Sequence, residues 1–363
     1  MNTFHVFLYY VLPLILILGV LILFHELGHF IVAKLFNVKV LRFSLGLGPK
    51  LFGKKFGETE YAISMIPFGG YVKMLGEDLD EEEPIPQWEE HRAFNNQPIL
   101  KRMAIVAAGP IFNLLLAFFI FVFFYAIVGE KVLAPEVGKV EKGSPAWLAG
   151  VEPGDFILAI DDIPVRRWED IKKIVRKKGS VPIKLRVKKG DDIYLIQVTP
   201  RPGKVKNIFG EEVQTVIIGI VASGKKRILK FSFLGAVKEA FNKSCEITRL
   251  TCITLVKLVK RVVPMKTLGG PILIGQITGK IAQQDWRYLF PFTAVISINL
   301  GILNLLPVPI LDGGLILLLF IEIILRRPLD RKVQETAHKV GLILLIGLMA
   351  IVMYNDIMRV LTK

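Results

Sequence analysis

The chain has 363 residues, 52% of them hydrophobic and 22% charged, with a formal net charge of +15. A soluble domain is typically about 45–50% apolar even with glycine counted, and here the excess is gathered into long uncharged runs, which excludes an ordinary soluble enzyme, a disordered chain and a fibrous repeat. The composition describes a membrane protein with room for one extra soluble domain; its basic excess suits anionic headgroups and topology signals, and no nucleic-acid recognition fold accompanies it.

Residues 6–24 form a nineteen-residue run with no charge, long enough for a bilayer core that takes about 20 residues. No Lys or Arg precedes it and no small-residue cleavage site follows, so it reads as a transmembrane helix rather than a signal peptide. The helix continues into HELGHFIVAKLF, giving a first element over 1–36. Residues 37–102 form a β-hairpin region with strands VKVLRFSL, GETEYAISMI and GGYVKML, then an acidic, solvated loop EDLDEEEPIPQWEE at 77–90. A second span covers 103–128.

Residues 129–203 read as a compact soluble domain: strands LAPEVGKV, DFILAI, IKLRVKK and YLIQVTP surround a helix near WEDIKKIVRK. The stretch 204–285 reads as linker with one strand, VQTVIIGIV, followed by one or two amphipathic interfacial helices over 228–261. Cys245 and Cys252 lie there; seven apart on a helix they stand about 10 Å apart along its axis, too far for a disulfide, and read as free packing thiols. The third apolar region, 286–326, is interrupted at NLLPVPILDGG, where two prolines and two glycines must break a helix. A basic loop and a fourth, shorter span fill 327–363. The fold class expected is an α-helical transmembrane core of about four spans, a membrane-associated β-hairpin segment and one small α+β domain.

Basic residues set the expected orientation. Lys34, Lys39 and Arg42 follow the first span, and Arg326, Arg327, Arg331, Lys332 and Lys339 precede the fourth. Both loops are expected on the cytoplasmic side, with the N-terminus, the soluble domain and the C-terminus outside.

The sharpest chemical feature is His25-Glu26-Leu27-Gly28-His29. Histidines four apart share a helix face, so both imidazoles can reach one ion at about 2.0–2.1 Å. The glutamate between them can hold a water at that ion and take its proton. Two histidines and a glutamate continuing an apolar span are costly in lipid and point to a functional cavity. A tetrahedral catalytic zinc needs a third protein ligand. Asp312 is the best candidate, because broken backbone at membrane depth is tolerated only around a buried or wet cavity; Glu322, in a regular apolar helix, is its rival. His5, His91 and His338 lie at expected surfaces.

These motifs together resemble the site-2 protease family of intramembrane zinc metalloproteases, and most of all its regulator of sigma-E protease branch. HELGH on the first span, GPIFN (109–113) in the second and NLLPVPILDGG (304–314) in the third carry the likeness, with FSLGLGP (43–49), FGGYVKMLGE (68–77) and GGPILIGQITGKIA (269–282) in support. The segment KGSPAWLAGVEPGDFILAIDDIPVRRWEDI (142–171) resembles a circularly permuted bacterial PDZ domain, a single copy here.

The resemblance implies one catalytic Zn2+ held by His25, His29 and Asp312, with Glu26 as general base and acid. It implies that Asn304 binds the substrate backbone or the developing oxyanion, and that Asn113 helps shape the site. Gly69 and Gly70 would allow close approach of an unwound substrate to a strand edge. The implied partners are single-span membrane proteins already trimmed on the outer side, with peptide C-termini or extended segments at the PDZ domain, in the bacterial inner membrane. A metal transporter and an inactive PDZ scaffold are the rival readings. Four spans are few for the first, and the second has no need of Glu26 beside a full set of ligands.

Overall fold

The structure is a computed structural model that describes residues 7–77, 85–207 and 209–362. Most of the acidic stretch at 78–84, and His5, lie outside the described residues. Four helical stretches, Phe7–Leu35, Ile99–Ile127, Pro271–Asn304 and Arg331–Leu361, are long and apolar enough to cross a membrane. The chain divides into two units: Met1–Phe124 with Ala236–Lys363, and Tyr125–Gly235.

In the first unit, helix α1 (Phe7–Leu35) opens with a π-helical turn and carries the HELGH motif in its C-terminal half. Strands β1 (Val40–Phe56) and β2 (Thr59–Met74) follow. Each is long and bent, so the two fold into four segments. Arg42, Phe43, Ser44 and Leu45 pair on one side with Lys73, Val72, Tyr71 and Gly70, and on the other with Glu60, Tyr61, Ala62 and Ile63. Residues 50–56 then pair with 59–64. The sheet therefore runs 70–74, 40–45, 59–64, 50–56, with 70–74 at one edge. No strand is read from the sequence between 45 and 57, yet 46–56 continues β1; an outer strand tolerates its Pro49 and Gly53. Helix α2 (Ile99–Ile127) holds Pro110 in its interior, which a membrane helix accepts where neighbours satisfy the freed backbone. A buried cluster of Ala33, Val38, Val40, Val72, Met74, Phe94 and Ile105 joins α1, the sheet and α2. At the end of α1, Glu58 pairs with both Lys34 (2.5 Å) and Arg92 (2.7 Å).

The second unit contains β3 (Glu130–Leu133), β4 (Val137–Val140), the one-turn α3 (Pro145–Leu148), β5 (Phe156–Ile160), β6 (Ile163–Pro164), α4 (Trp168–Lys178), β7 (Ile183–Lys189) and β8 (Asp192–Val198). Strands β6-β5-β7-β8 form a sheet in that order. The inward residues Ile183, Leu185 and Val187 of β7 alternate with exposed ones and pack on Ile157, Ile160 and Trp168. The unit does not stop at 203. Strands β9 (Arg201–Lys206), β10 (Glu212–Ile217), β11 (Ile220–Ala222) and β12 (Lys226–Leu229) follow. Strand β11 returns to pair with β4, and β12 pairs with β3. The stretch expected as linker is thus part of the domain, and the one strand read there, over 213–221, is divided at Gly219, whose φ is positive, into β10 and β11.

Back in the first unit, α5 (Phe233–Val259) is one continuous helix, and Cys245 and Cys252 on it are free but exposed rather than packed. Helix α6 (Pro271–Asp285) starts on the buried carboxylate of Asp356, which accepts from the Gly270 N–H (3.1 Å) and the Leu273 N–H (3.0 Å). Helix α7 (Leu289–Asn304), α8 (Asp312–Leu325) and α9 (Arg331–Leu361) complete the unit. The third apolar region is broken where its prolines require. Gly313 and Gly314 let the start of α8 press on the break: a Cβ on Gly313 would meet the carbonyl of Leu305, and one on Gly314 would come within 2.5 Å of Pro309 Cα. Helix α9, longer than the span read from sequence, begins at Arg331.

Candidate metal centre

His25 and His29 project from one face of α1 and are both buried. Their Nε2 atoms stand 3.3 Å apart. Asp312, the first residue of α8, brings Oδ2 to 3.1 Å from His25 Nε2 and Oδ1 to 3.6 Å from His29 Nε2. Four tetrahedral ligands about 2.0–2.1 Å from a common centre stand about 3.3 Å apart, so the three side chains already hold the edge lengths of such a site. Among the described residues this is the cluster of His, Cys, Asp and Glu side chains that could hold a metal.

Three further observations fit a cation. Asp312 Oδ2 is buried with no hydrogen-bond partner: it is close to His25 but outside bonding geometry. A buried carboxylate oxygen without a donor is costly; a cation would satisfy it. The His29 Nδ1–H donates to the main-chain carbonyl of Ile105 (2.9 Å), which leaves the Nε2 lone pair facing Asp312. Gly109 on α2 leaves the space the rings occupy: a Cβ there would collide with both imidazoles, reaching 2.8 Å from His25 Cε1. The donor set of two imidazoles and one carboxylate suits zinc, with one position left for water or substrate.

Around this triad, the amide nitrogen of Asn304, the last residue of α7, lies 3.3 Å from His25 Nε2. Asn113 is fully buried with its amide 3.2 Å from His25 Nδ1. Glu26 stands on α1 against the sheet edge, where the Val72 N–H faces its carboxylate. A Cβ on Gly70 would come 3.0 Å from Glu26 Cγ and 2.9 Å from Ile22 Cγ2, and one on Gly69 would meet Leu47. The space spared by these two glycines is therefore taken by the protein's own side chains, and it lets the strand lie against α1 at Glu26.

Glu322 is not at the centre. Its carboxylate pairs with Arg102 of α2 (2.8 Å) and accepts from the Leu329 N–H (3.1 Å). His338 is exposed, and neither it nor His91 joins the cluster. Sequence reasoning missed the Ile105 carbonyl and Ser297, whose hydroxyl donates to the main-chain oxygen of Asn113 (2.7 Å). A carbonyl leaves no trace in residue identity. The adjacent Gly109-Pro110 pair within an apolar helix was the available signal.

The model of peptidase family M50 matches residues 13–348. Three curated relatives named as putative zinc metalloproteases are similar along nearly their whole length. One from Campylobacter jejuni is 37% identical over 351 residues, covering 96% of this chain and 94% of its own. One from Agrobacterium fabrum is 34% identical over 96% and 95% of the two chains. One from Clostridium acetobutylicum is 37% identical over 94% and 96%. Among solved structures, the PDZ domain of an SdrC-like protein from Listeria monocytogenes matches 24% of this chain and 84% of its own at 22% identity, with a TM-score of 0.20. Its counterpart from Listeria innocua matches 24% and 92%, also at 22% identity and a TM-score of 0.20.

Proposed function

The chain belongs to peptidase family M50, and from that membership we propose that it is a zinc-dependent intramembrane endopeptidase of the site-2 type, cutting the transmembrane segments of single-span membrane proteins. The observation that carries this reading is the convergence of His25, His29 and Asp312 from two helices far apart in the chain. His25, His29 and Asp312 are the proposed ligands. When bound, zinc supplies Lewis acidity toward the scissile carbonyl and makes water a stronger acid.

The chain's own residues do the rest. Glu26 takes a proton from the attacking water and delivers it to the leaving amine. Asn304 aims its amide at the developing oxyanion, a contact worth about 3 kcal/mol in a comparable setting. A substrate helix hides its peptide bonds in its own hydrogen-bond ladder, so it must unwind. The sheet edge at 70–74, set against Glu26 by Gly70, would take the unwound stretch as an added strand.

The substrates proposed are anti-sigma factors and remnant signal peptides already trimmed on the outer side, in the bacterial inner membrane. The orientation proposed has the N-terminus, the second unit and the C-terminus outside and the active site toward the cytoplasm, a reading supported by the basic loops. The second unit, read as a PDZ domain, would hold peptide ends or screen out untrimmed substrates.

The test is incubation of the detergent-solubilised protein with single-span substrates, with and without a zinc chelator, and mass spectrometry of the products. Glu26→Gln is expected to remove cleavage, by at least about 10²–10⁴-fold, with zinc still bound. Cleavage outside the apolar segment, or full activity of Glu26→Gln, would overturn the reading.

A further inference from the structure

The two histidines of the centre are supported differently. The Nδ1–H of His29 donates to a main-chain carbonyl, that of Ile105 (2.9 Å). Nδ1 of His25 meets a side chain instead, the amide of Asn113 at 3.2 Å. Asn113 is 0% exposed, and its Oδ1 has no hydrogen-bond partner. Its place is tightly set: the Ser297 hydroxyl donates to its main-chain oxygen (2.7 Å), and Gly301 of α7 lies where an added Cβ would be 3.4 Å from Asn113 Cβ. A residue enclosed in this way is poorly placed to touch a substrate.

A half-turn of the amide exchanges its oxygen and nitrogen at nearly the same positions. Either orientation leaves one amide atom without a partner, so the tautomer of His25 decides between them. Nε2 of His25 stands among His29 Nε2, Asp312 Oδ2 and Asn304. For Nε2 to offer its lone pair to a cation, the ring hydrogen must sit on Nδ1, and only the Asn113 oxygen can accept it there.

We propose that Asn113 is a positioning residue that accepts the His25 Nδ1–H through Oδ1, fixing the tautomer and plane of the ring, and that it makes no contact with substrate. The proposal rests on the zinc-centre reading above. Ser297 and Gly301, both on α7, hold Asn113 from behind, so the helix that ends in Asn304 also steadies the far side of His25.

The full-length protein in detergent is stripped of metal and its zinc affinity measured by competition with a chromogenic chelator. Unfolding of the metal-free protein and KM for a single-span substrate are followed in parallel. Asn113→Ala is expected to weaken zinc binding roughly 10–100-fold, whereas Asn113→Asp, which keeps an acceptor oxygen, should stay within about threefold of the unaltered chain. KM should not move in either. Should Asn113→Ala fail to fold, Asn113→Ser serves, its hydroxyl being too short to reach Nδ1. Unchanged zinc affinity with a raised KM in the alanine variant would make Asn113 a substrate contact and overturn the proposal. So would a loss in Asn113→Asp as deep as in Asn113→Ala, since the amide would then be donating or merely filling space. If the unaltered chain itself takes up no zinc, the zinc-centre reading falls; normal uptake by it with either adverse variant result removes only the role of Asn113.

Discussion

The two units bury polar groups in different measure. In the unit Tyr125–Gly235 the bonds are mostly local: Ser144 caps α3 by accepting from the Trp147 N–H, and Asp155 accepts from the Glu152 N–H three residues away, with one longer reach from the Ser144 hydroxyl to the Gly219 carbonyl (3.4 Å). Its interior is otherwise aliphatic, built from Val137, Ile157, Ile160, Ile183, Leu185 and Val187 around Trp168. In the membrane-spanning unit the buried polar groups reach across the chain, as His25 to Asp312, Asn113 to His25, Ser297 to Asn113, Asp356 to Gly270 and Glu322 to Arg102. Water drives the first kind of interior together, at about 25 cal/mol per Å² of apolar surface. Lipid tails are as apolar as leucine, so helices in the bilayer are sorted by close packing and by the few polar bonds they can make. The candidate metal cluster belongs to that second kind, its side chains being part of what tells the helices where to stand.

Damage to the polar cluster should therefore be severe for metal and chemistry and confined to the membrane-spanning unit. Asp312→Asn keeps the size and removes the charge; zinc affinity and cleavage should fall together, beyond the roughly 10–100-fold that a supporting residue costs, while unfolding of the second unit is unmoved. Full zinc occupancy in that variant would assign the third ligand elsewhere. Gly109→Ala sharpens the point. Alanine favours a helix interior by about 1 kcal/mol over glycine, so a local view expects a gain. Contact with both imidazoles leads us to expect a loss of zinc affinity of about tenfold or more, read by chelator competition.

The complementary break is Leu185→Ala, which opens a cavity in the aliphatic interior. It should cost the second unit about 2–5 kcal/mol, measured by denaturant unfolding followed through Trp168, with zinc content unchanged; lost zinc would show that the two interiors are not independent. The smallest effect concerns Glu58. Hydrogen bonds from Arg92 and then Lys34 hold its carboxyl at about 2, below an ordinary 4.5. A carboxyl lowered on folding stabilises above its unfolded value and loses that contribution as pH falls through the folded one. Stability of the first unit should therefore decline as pH drops from about 4.5 toward 2, and Glu58→Gln should flatten this part of the profile in a thermal melt series.

The same contrast governs how much was legible in the sequence. Spans declare themselves by long uncharged runs, and α1, α2 and α9 stand where those runs are, with α9 extended because Arg331, Lys332 and Lys339 continue a helix beyond the apolar stretch. The pairing of His25 with His29 is a matter of helical period and is readable without structure. Asp312 is readable only as a candidate: the broken backbone marks it ahead of Glu322 and the family resemblance adds to that, while its approach depends on how the break at 305–311 folds back. In the second unit, alternation exposed β7 at once, whereas the single strand read over 213–221 divides at Gly219 into β10 and β11, and the four-residue β12 gains its identity only by pairing with β3. The four-segment sheet hid for a related reason. Its register changes direction within single strands, and a pattern of period two cannot signal which neighbour a bent strand will find.

The bond from His29 to the Ile105 carbonyl carries a consequence for genetics. A saturation scan of α2 would read position 105 only through its buried side chain, packed in the cluster of α1, the sheet and α2, because the carbonyl that faces His29 belongs to the main chain and is kept by every substitution. One support of the proposed metal centre is thus set by helix shape and carries no side-chain signature of its own, and the other hangs on a single amide at position 113. Drift in related sequences would be expected to exchange position 105 among apolar residues of similar volume and to stall at position 113.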